Sequence, residues 1–320
     1  MKPYYCFFLI FCASLCAQVR LQQSGGQISI TIDNKPFSTL FCGPETMKPY
    51  LDPLRSATGK IVTRRYPMET VAGETHDHPH HRGLWFSHGD VNGFDFWGNE
   101  PSQKTPKTGR IVLKKIGKVA GGEKSGSLEA TFEWVDPQGK ALLTESRRIV
   151  FYSHPDERVM DFDITLAPLD RVTFGDTKEG TFAIRLAPSL EEPTKESLAS
   201  PKRTGLMTDS EGRSGESKVW GNRASWVDYC GEVDGEKLGI AILDHPENPR
   251  HPTYWHSRSY GLFAANIFGL HDFLRDKSAN GSMTIERGNP LRFRYRVIIH
   301  GGDSQSARIA ERYKEYGGAK

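Results

Sequence analysis

SLEATFEWVDPQGKALLTESRRIVFY, residues 127–152, decides the fold class. Leu128, Ala130, Phe132 and Trp134 alternate with Glu129, Thr131 and Glu133, so a strand here buries one face and wets the other. Pro137 and Gly139 mark a turn, and ALLTESRRIVFY resumes the pattern, which makes a hairpin. RVMDFDITLAP (158–168) continues it. Outward from this core the pattern recurs in GQISITIDNKPF (26–37), which turns at Asp33-Asn34, and in RIVLKKIG, TFAIRLAP, LGIAILDHP and LRFRYRVIIHGG. These runs are short, rich in Ile, Val, Phe and Thr, and split by Gly, Pro, Asn or Asp. One helix is expected, at the C-terminus: Asp303 or Ser304 can cap SQSARIAERYKEYGG, with Ile309, Tyr313 and Tyr316 on one face. The pattern predicts an all-β fold of two large, packed antiparallel sheets with a short C-terminal helix; a propeller would need a blade repeat that is absent. The polar stretch from Leu190 to Lys218 lacks periodicity and reads as a long loop over one face, a candidate lid.

The chain has 320 residues, with 42 Lys and Arg against 39 Asp and Glu. No basic run or stripe stands out, which argues against a nucleic-acid partner. The N-terminus reads as an export signal over residues 1–17. Lys2 leads an apolar run to Leu15, and Ala13, Ser14 and Ala17 offer small residues for cleavage. The run is too short for a comfortable membrane span, and residues 18–320 read as one β domain in the periplasm or outside the cell. Cleavage leaves Cys42 and Cys230, as free thiols or as a disulfide that export would permit.

Three stretches carry candidate chemistry. HDHPHHRG, residues 76–83, concentrates four of the 11 histidines. In an extended segment His76, His78 and His80 would share one side, with Asp77 and His81 on the other, although Pro79 favours a loop. Closely spaced imidazoles suit a divalent metal or proton transfer near neutral pH. Downstream, Trp97 beside Gly98-Asn99 is a stacking platform for a sugar, and Phe86 and Phe96 read as core. FGDTKEGTFAIRLAP (174–188) places Asp176, Lys178 and Glu179 before a strand. Glu179 suits a general base facing the histidines, and Arg185 suits a grip on an anion or hydroxyls. The proline-rich loop within 241–269 offers His245, directly after a buried strand, along with His251 and His256. Nucleophile-elbow, phosphate-loop, dinucleotide and HExxH motifs are absent.

The blocks DHPHHRGLWFSHGDVNGFDFW, GDTKEGTFAIRLA, WVDYCG, DHPENPRHPTYWHSRSYGLFAANIFG and YRVIIHGGD resemble an exported bacterial family labelled "methane oxygenase PmoA" or DUF6807. The resemblance spans about residues 25–317. That family is similar to the galactose-mutarotase-like β-supersandwich group, which implies a carbohydrate cleft over one sheet, with a histidine acid and a glutamate base. The chain has no apolar run of 18 residues outside the leader, so it is not a membrane-spanning methane monooxygenase subunit.

The leading expectation is a carbohydrate-active epimerase, lyase or glycoside hydrolase. His78, His81, Glu179 and His245 are its candidate catalytic residues, and His76, Arg82, Trp97, Asp176, Lys178, Arg185 and His256 its candidate substrate contacts. No cofactor is expected, though the histidine group leaves room for a divalent metal. The alternatives are a metalloprotein or oxidoreductase with ligands His76, His78 and His81, joined by His245 or Glu179, and a non-catalytic glycan binder using Trp97 and Trp255.

Overall fold

The computed structural model describes residues 18–197 and 200–318; the expected export signal lies outside them. The strands are β1 (Val19–Ser24), β2 (Gln27–Ile32), β3 (Lys35–Phe41), β4 (Tyr50–Asp52), β5 (Leu84–His88) and β6 (Arg110–Ala120). There follow β7 (Ser125–Val135), β8 (Ala141–Ser153), β9 (Arg158–Pro168), β10 (Val172–Phe174), β11 (Gly180–Arg185) and β12 (Leu206–Asp209). The last are β13 (Trp226–Val233), β14 (Glu236–Asp244), β15 (Tyr254–Ser257), β16 (Leu262–Asn266), β17 (Met283–Ile285) and β18 (Leu291–Gly301). The helices are α1 (Glu216–Val219), α2 (Leu270–Phe273) and α3 (Ile309–Gly318).

Two 8-stranded sheets face each other, with β10 and β17 paired apart from them. The first sheet runs β1-β2-β3-β4-β5-β11-β16-β15, and the second runs β12-β13-β14-β18-β9-β8-β7-β6. Every ladder is antiparallel. This is the all-β architecture expected from the alternating runs.

The hairpin of β7 and β8 closes through Asp136–Lys140, with Gly139 at φ +86°. Asp33 and Asn34, at φ +54° and +62°, join β2 to β3. That turn matches the right-handed twist of the flanking strands. Between the sheets Phe132 and Trp134 of the second sheet meet Phe86, Phe182 and Trp255 of the first in one buried cluster. Each such side chain contributes roughly 1.5–3 kcal/mol by leaving water.

α3 starts later than the sequence suggests. The Asp303 carboxylate accepts the Ser306 N–H at 2.8 Å and Arg308 has φ +55°, so residues 304–308 form a turn first. Ile309 and Tyr316 then pack on the outer face of the second sheet with Trp226, Leu243 and Ile298. The 190–218 stretch is not a free loop. It supplies edge strand β12 and helix α1, and the Glu192 carboxylate accepts the Met207 and Glu216 backbone N–H groups. Cys42 and Cys230 are both free thiols. No described helix is long and apolar enough to cross a membrane.

Candidate functional site

The site lies on the outer face of the first sheet, where Trp85, Trp97, Ala183 and Ala264 form a small cluster separate from the main core. The histidine turn that covers it is built on a buried arginine. Arg64 is fully buried and donates to the Asp77 and His78 carbonyls at 2.9 and 2.8 Å. A buried guanidinium requires acceptors, and the turn's backbone supplies them. The turn closes with the His81 N–H donating to the His78 carbonyl at 3.0 Å, and His78 has φ +42°. Gly83 then leads into β5 at φ +49°, and a Cβ there would sit 2.1 Å from the Leu51 carbonyl, so the chain passes only as glycine.

Asp77 joins the pieces. Its carboxylate accepts from Arg64, from Arg185 at 3.0 Å, from the Thr75 hydroxyl at 2.9 Å and from His78 Nδ1 at 2.7 Å. Burial would raise the Asp77 carboxyl. The hydrogen bond from His78 and the Arg185 and Arg64 charges outweigh it and hold the group well below the usual carboxylate range.

The three imidazoles in the turn have different states. His78 is partly exposed, with Nδ1 committed to Asp77 and its ring stacked on His81 at 4.8 Å and on Tyr260 at 5.5 Å. His80 is buried; its Nδ1 donates to Gln103 Oε1 at 2.8 Å, which leaves the Nε2 lone pair free. Burial, then the Lys48 charge, push His80 down to about 3, so it is neutral at physiological pH. His81 is 1% exposed and stacked on Trp85. Burial, then neighbouring His80 and Arg185, drive its pKa well below the ordinary value. Arg185 donates to His81 Nδ1 at 3.2 Å. Arginine cannot accept, so the His81 proton sits on Nε2. The period-two reading of this stretch does not hold: His78, His80 and His81 gather, while His76 stacks on Tyr66 instead.

Glu179 arrives on a pinned turn ahead of β11. Asn266 Nδ2 donates to the Thr177 carbonyl at 3.0 Å, His256 Nδ1 to the Lys178 carbonyl at 2.8 Å, and the Gly89 N–H to the Glu179 carbonyl at 2.7 Å. Lys178 Nζ lies 3.4 Å from the Glu179 carboxylate. An open depression of about 250 Å³ results, walled by His78, His80, Asp95, Trp97, Thr177 and Glu179. A larger depression of about 580 Å³ lies elsewhere, among Lys60, Glu69, Glu74 and Asp234. It carries no histidine, whereas the smaller one sets two histidines beside carboxylates.

The structure thus brings His78 and Glu179 together with His80, which the sequence reading left out of the candidate set. Other candidates support the site without facing it openly. Arg185 is fully buried on Asp77 and His81, so it positions the turn and does not grip a ligand. Arg82 is bound in bidentate fashion by Glu100 at 2.7 Å. Asp176 accepts the His271 and Gly281 N–H groups and organises its loop. His256 is 2% exposed, and burial brings it down to about 4; it pins Lys178. Trp97 and Trp255 are buried, which removes both as open stacking platforms.

His245 does not reach the depression. It leaves β14 on the outer face of the second sheet and packs edge-on against Tyr316 at 5.0 Å. The alternative metal set of His76, His78 and His81 does not bring three donor atoms within 4.8 Å of one another among the described residues. The contributors missed in sequence are Arg64 and Lys48; Asp77 and Asp95 are visible in their motifs but take no role of their own there. Lys48 is buried beneath Trp97, donates to its carbonyl at 2.8 Å and is lowered to about 7 by burial. A lysine or arginine in a strand-rich stretch gives no sign that it will be buried.

Among solved structures the chain is similar to an α-galactosidase from Lactobacillus brevis, at 9% identity and TM-score 0.43, covering 93% of this chain and 42% of that one. It is also similar to a Glycoside Hydrolase Family 97 enzyme from Pseudoalteromonas sp. strain K8 in complex with panose, at 12% identity and TM-score 0.36, covering 90% of this chain and 35% of that one. A galactose mutarotase-like protein from Clostridium acetobutylicum matches at 11% identity and TM-score 0.37, covering 88% of this chain and 95% of that one. The chain therefore spans less than half the length of the first two. No curated protein matches the sequence. None of these findings carries the methane-oxygenase label. A profile described as "Family of unknown function (DUF6807)" matches residues 27–314, and the chain belongs to that family.

Proposed function

We propose that the protein is an exported carbohydrate-active enzyme that works by paired proton transfer between the histidine turn and Glu179. The observation that carries this reading is that His78, backed by the Asp77 carboxylate at 2.7 Å, shares the wall of one open depression with Glu179. Glu179 is the base: its carboxylate takes a proton from the substrate. His78 is the acid: Asp77 holds Nδ1–H and aims the ring, and a proton on Nε2 passes to a substrate oxygen or carbon. One proton leaves the substrate and one enters it, and exchange with water restores both groups. Epimerisation and β-elimination use the pair in this way; in glycoside hydrolysis Glu179 would instead take its proton from the attacking water, whose hydroxyl joins the sugar, while His78 protonates the leaving oxygen. Neutral His80 offers an acceptor for a hydroxyl, and the exposed His78 ring offers contact for sugar C–H groups. Support for export rests on Lys2 and the apolar run to Leu15.

The test is a substrate panel with wild type, His78→Ala and Glu179→Gln. Free hexoses report epimerisation by NMR, uronic-acid polysaccharides report elimination by absorbance, and aryl glycosides report hydrolysis. On the responsive substrate each variant should lose about 10²–10⁴-fold in kcat. Unchanged turnover in both variants refutes the assignment, and no turnover on any substrate overturns its catalytic half.

A further inference from the structure

Two sequence blocks remain unused by that site: WVDYCG on β13 and YRVIIHGG at the end of β18. They meet on the outer face of the second sheet. Cys230, Gly239 and His300 stand in one row across β13, β14 and β18. Gly239 has no side chain, and a Cβ there would lie 2.3 Å from the His300 ring and 2.9 Å from Cys230 Sγ. Only glycine lets the thiol and the imidazole lean toward each other over the middle strand. Asp228, two residues from Cys230 on the same face of β13, completes the group. Its carboxylate lies 3.1 Å from His300 Nε2 and 3.0 Å from Cys230 Sγ. The three donor atoms lie within 4.8 Å of one another, the one such set found among the described residues. Asp228 is fully buried, His300 is 2% exposed and Cys230 is partly buried.

We propose that Asp228, Cys230 and His300 form a zinc-class divalent metal site that ties β13 to β18 across β14. A nitrogen, a sulfur and a carboxylate oxygen form a donor set that zinc accepts, with the fourth position left for water. His300 Nδ1 faces the Gly301 carbonyl at 3.1 Å, which fixes the tautomer and turns Nε2 into the group. A carbonyl behind the ring is the usual second partner of a ligating histidine. Burial and the Asp228 carboxylate push the Cys230 thiol well above its usual value, and the Ser304 backbone N–H offsets only part of that, so the thiolate forms with the metal and not before it. On binding, the metal takes the sulfur lone pair and the Cys230 proton leaves to solvent, as does the Nε2 proton where the ring carries one. A cysteine-nucleophile reading fits less well. The thiol is bonded to the carboxylate and not to the imidazole, so the only base aimed at sulfur is the weakly basic Asp228 carboxylate, and His300 does not activate the thiol. The site is on the opposite sheet from the histidine turn and is independent of the proposed enzyme activity.

The experiment titrates cobalt(II) and then zinc(II) into the purified full chain, expressed without a histidine tag and stripped with a chelator. Wild type should bind one equivalent of cobalt, with tetrahedral visible bands and a near-ultraviolet thiolate-to-cobalt band. Cys230→Ser should lose the thiolate band and bind at least about tenfold more weakly, while His78→Ala keeps both. Zinc should also slow iodoacetamide labelling of Cys230 in wild type, read by peptide mass, a measurement that needs no folded variant. Absence of cobalt binding, a spectrum unchanged by Cys230→Ser, or labelling that zinc does not slow would each overturn the proposal.

Discussion

Replacing Asp77 by Asn tests the construction of the histidine turn directly. The amide keeps an acceptor for Arg64 and Arg185 but removes the charge between two guanidinium groups that are themselves fully buried. Breaking a buried pair by removing one partner costs about 3–5 kcal/mol. The Asp77 side chain is 38% exposed, so solvent screens part of the loss and the low end, about 3 kcal/mol, applies. For a domain of this size that corresponds to a fall in Tm of roughly 5–8 °C at neutral pH. The pH dependence follows from the depressed carboxyl. A group that titrates lower when folded adds stability that is complete above its unfolded pKa and is lost as pH falls toward its folded one. The Tm gap between wild type and Asp77→Asn should therefore hold from neutral pH to about pH 5 and narrow below about pH 4. Thermal melts by circular dichroism at a series of pH values read both effects. A variant that melts within about 1 °C of wild type, or a gap that widens in acid, would refute the claim that Asp77 neutralises the two arginines.

Two further outcomes are expected. Lys48 is lowered to about 7 by burial, so the unfolded chain holds a proton that the folded one releases, and stability should rise from about pH 7 to pH 10; Lys48→Met should flatten that rise in melts across the range. Gly239→Ala forces a methyl against His300 and Cys230, and should cost about 1–3 kcal/mol in urea unfolding while also weakening cobalt binding.

The strands were legible because their burial is written locally. Leu128, Phe132 and Trp134 sit on the same face in sequence and in the core, and the turn residues between β7 and β8 carry their own geometry. Strands of three or four residues, such as β4, β10 and β17, are too short to show a period and gain their pairing from neighbours. At the site, the excess of histidine was visible but its geometry was not. A positive φ at His78 and the neighbouring Pro79 break the alternation, and the turn takes its shape from Arg64, whose role exists only once the chain has folded back on it. His245 follows a buried strand, but strand order places that exit on the other sheet, and no local pattern records which sheet a strand joins.

The two histidine-bearing groups divide by what their ring nitrogens are already doing. In the turn, Nδ1 of His78, His80 and His81 is each occupied by a separate protein partner: Asp77, Gln103 and Arg185. Those bonds fix three tautomers but aim them differently, which suits passing a proton and recognising hydroxyls more than closing on one ion. At His300 the backbone carbonyl takes Nδ1, and Nε2 shares a single carboxylate with a thiol, so three different donors converge on a common point. That difference makes the metal experiment discriminating between the two sites. Cobalt that followed His78 and ignored Cys230 would move the metal to the turn and turn His78 from acid into ligand. Cobalt that followed Cys230 would leave the turn free for proton transfer, the condition under which His78→Ala and Glu179→Gln report on chemistry alone.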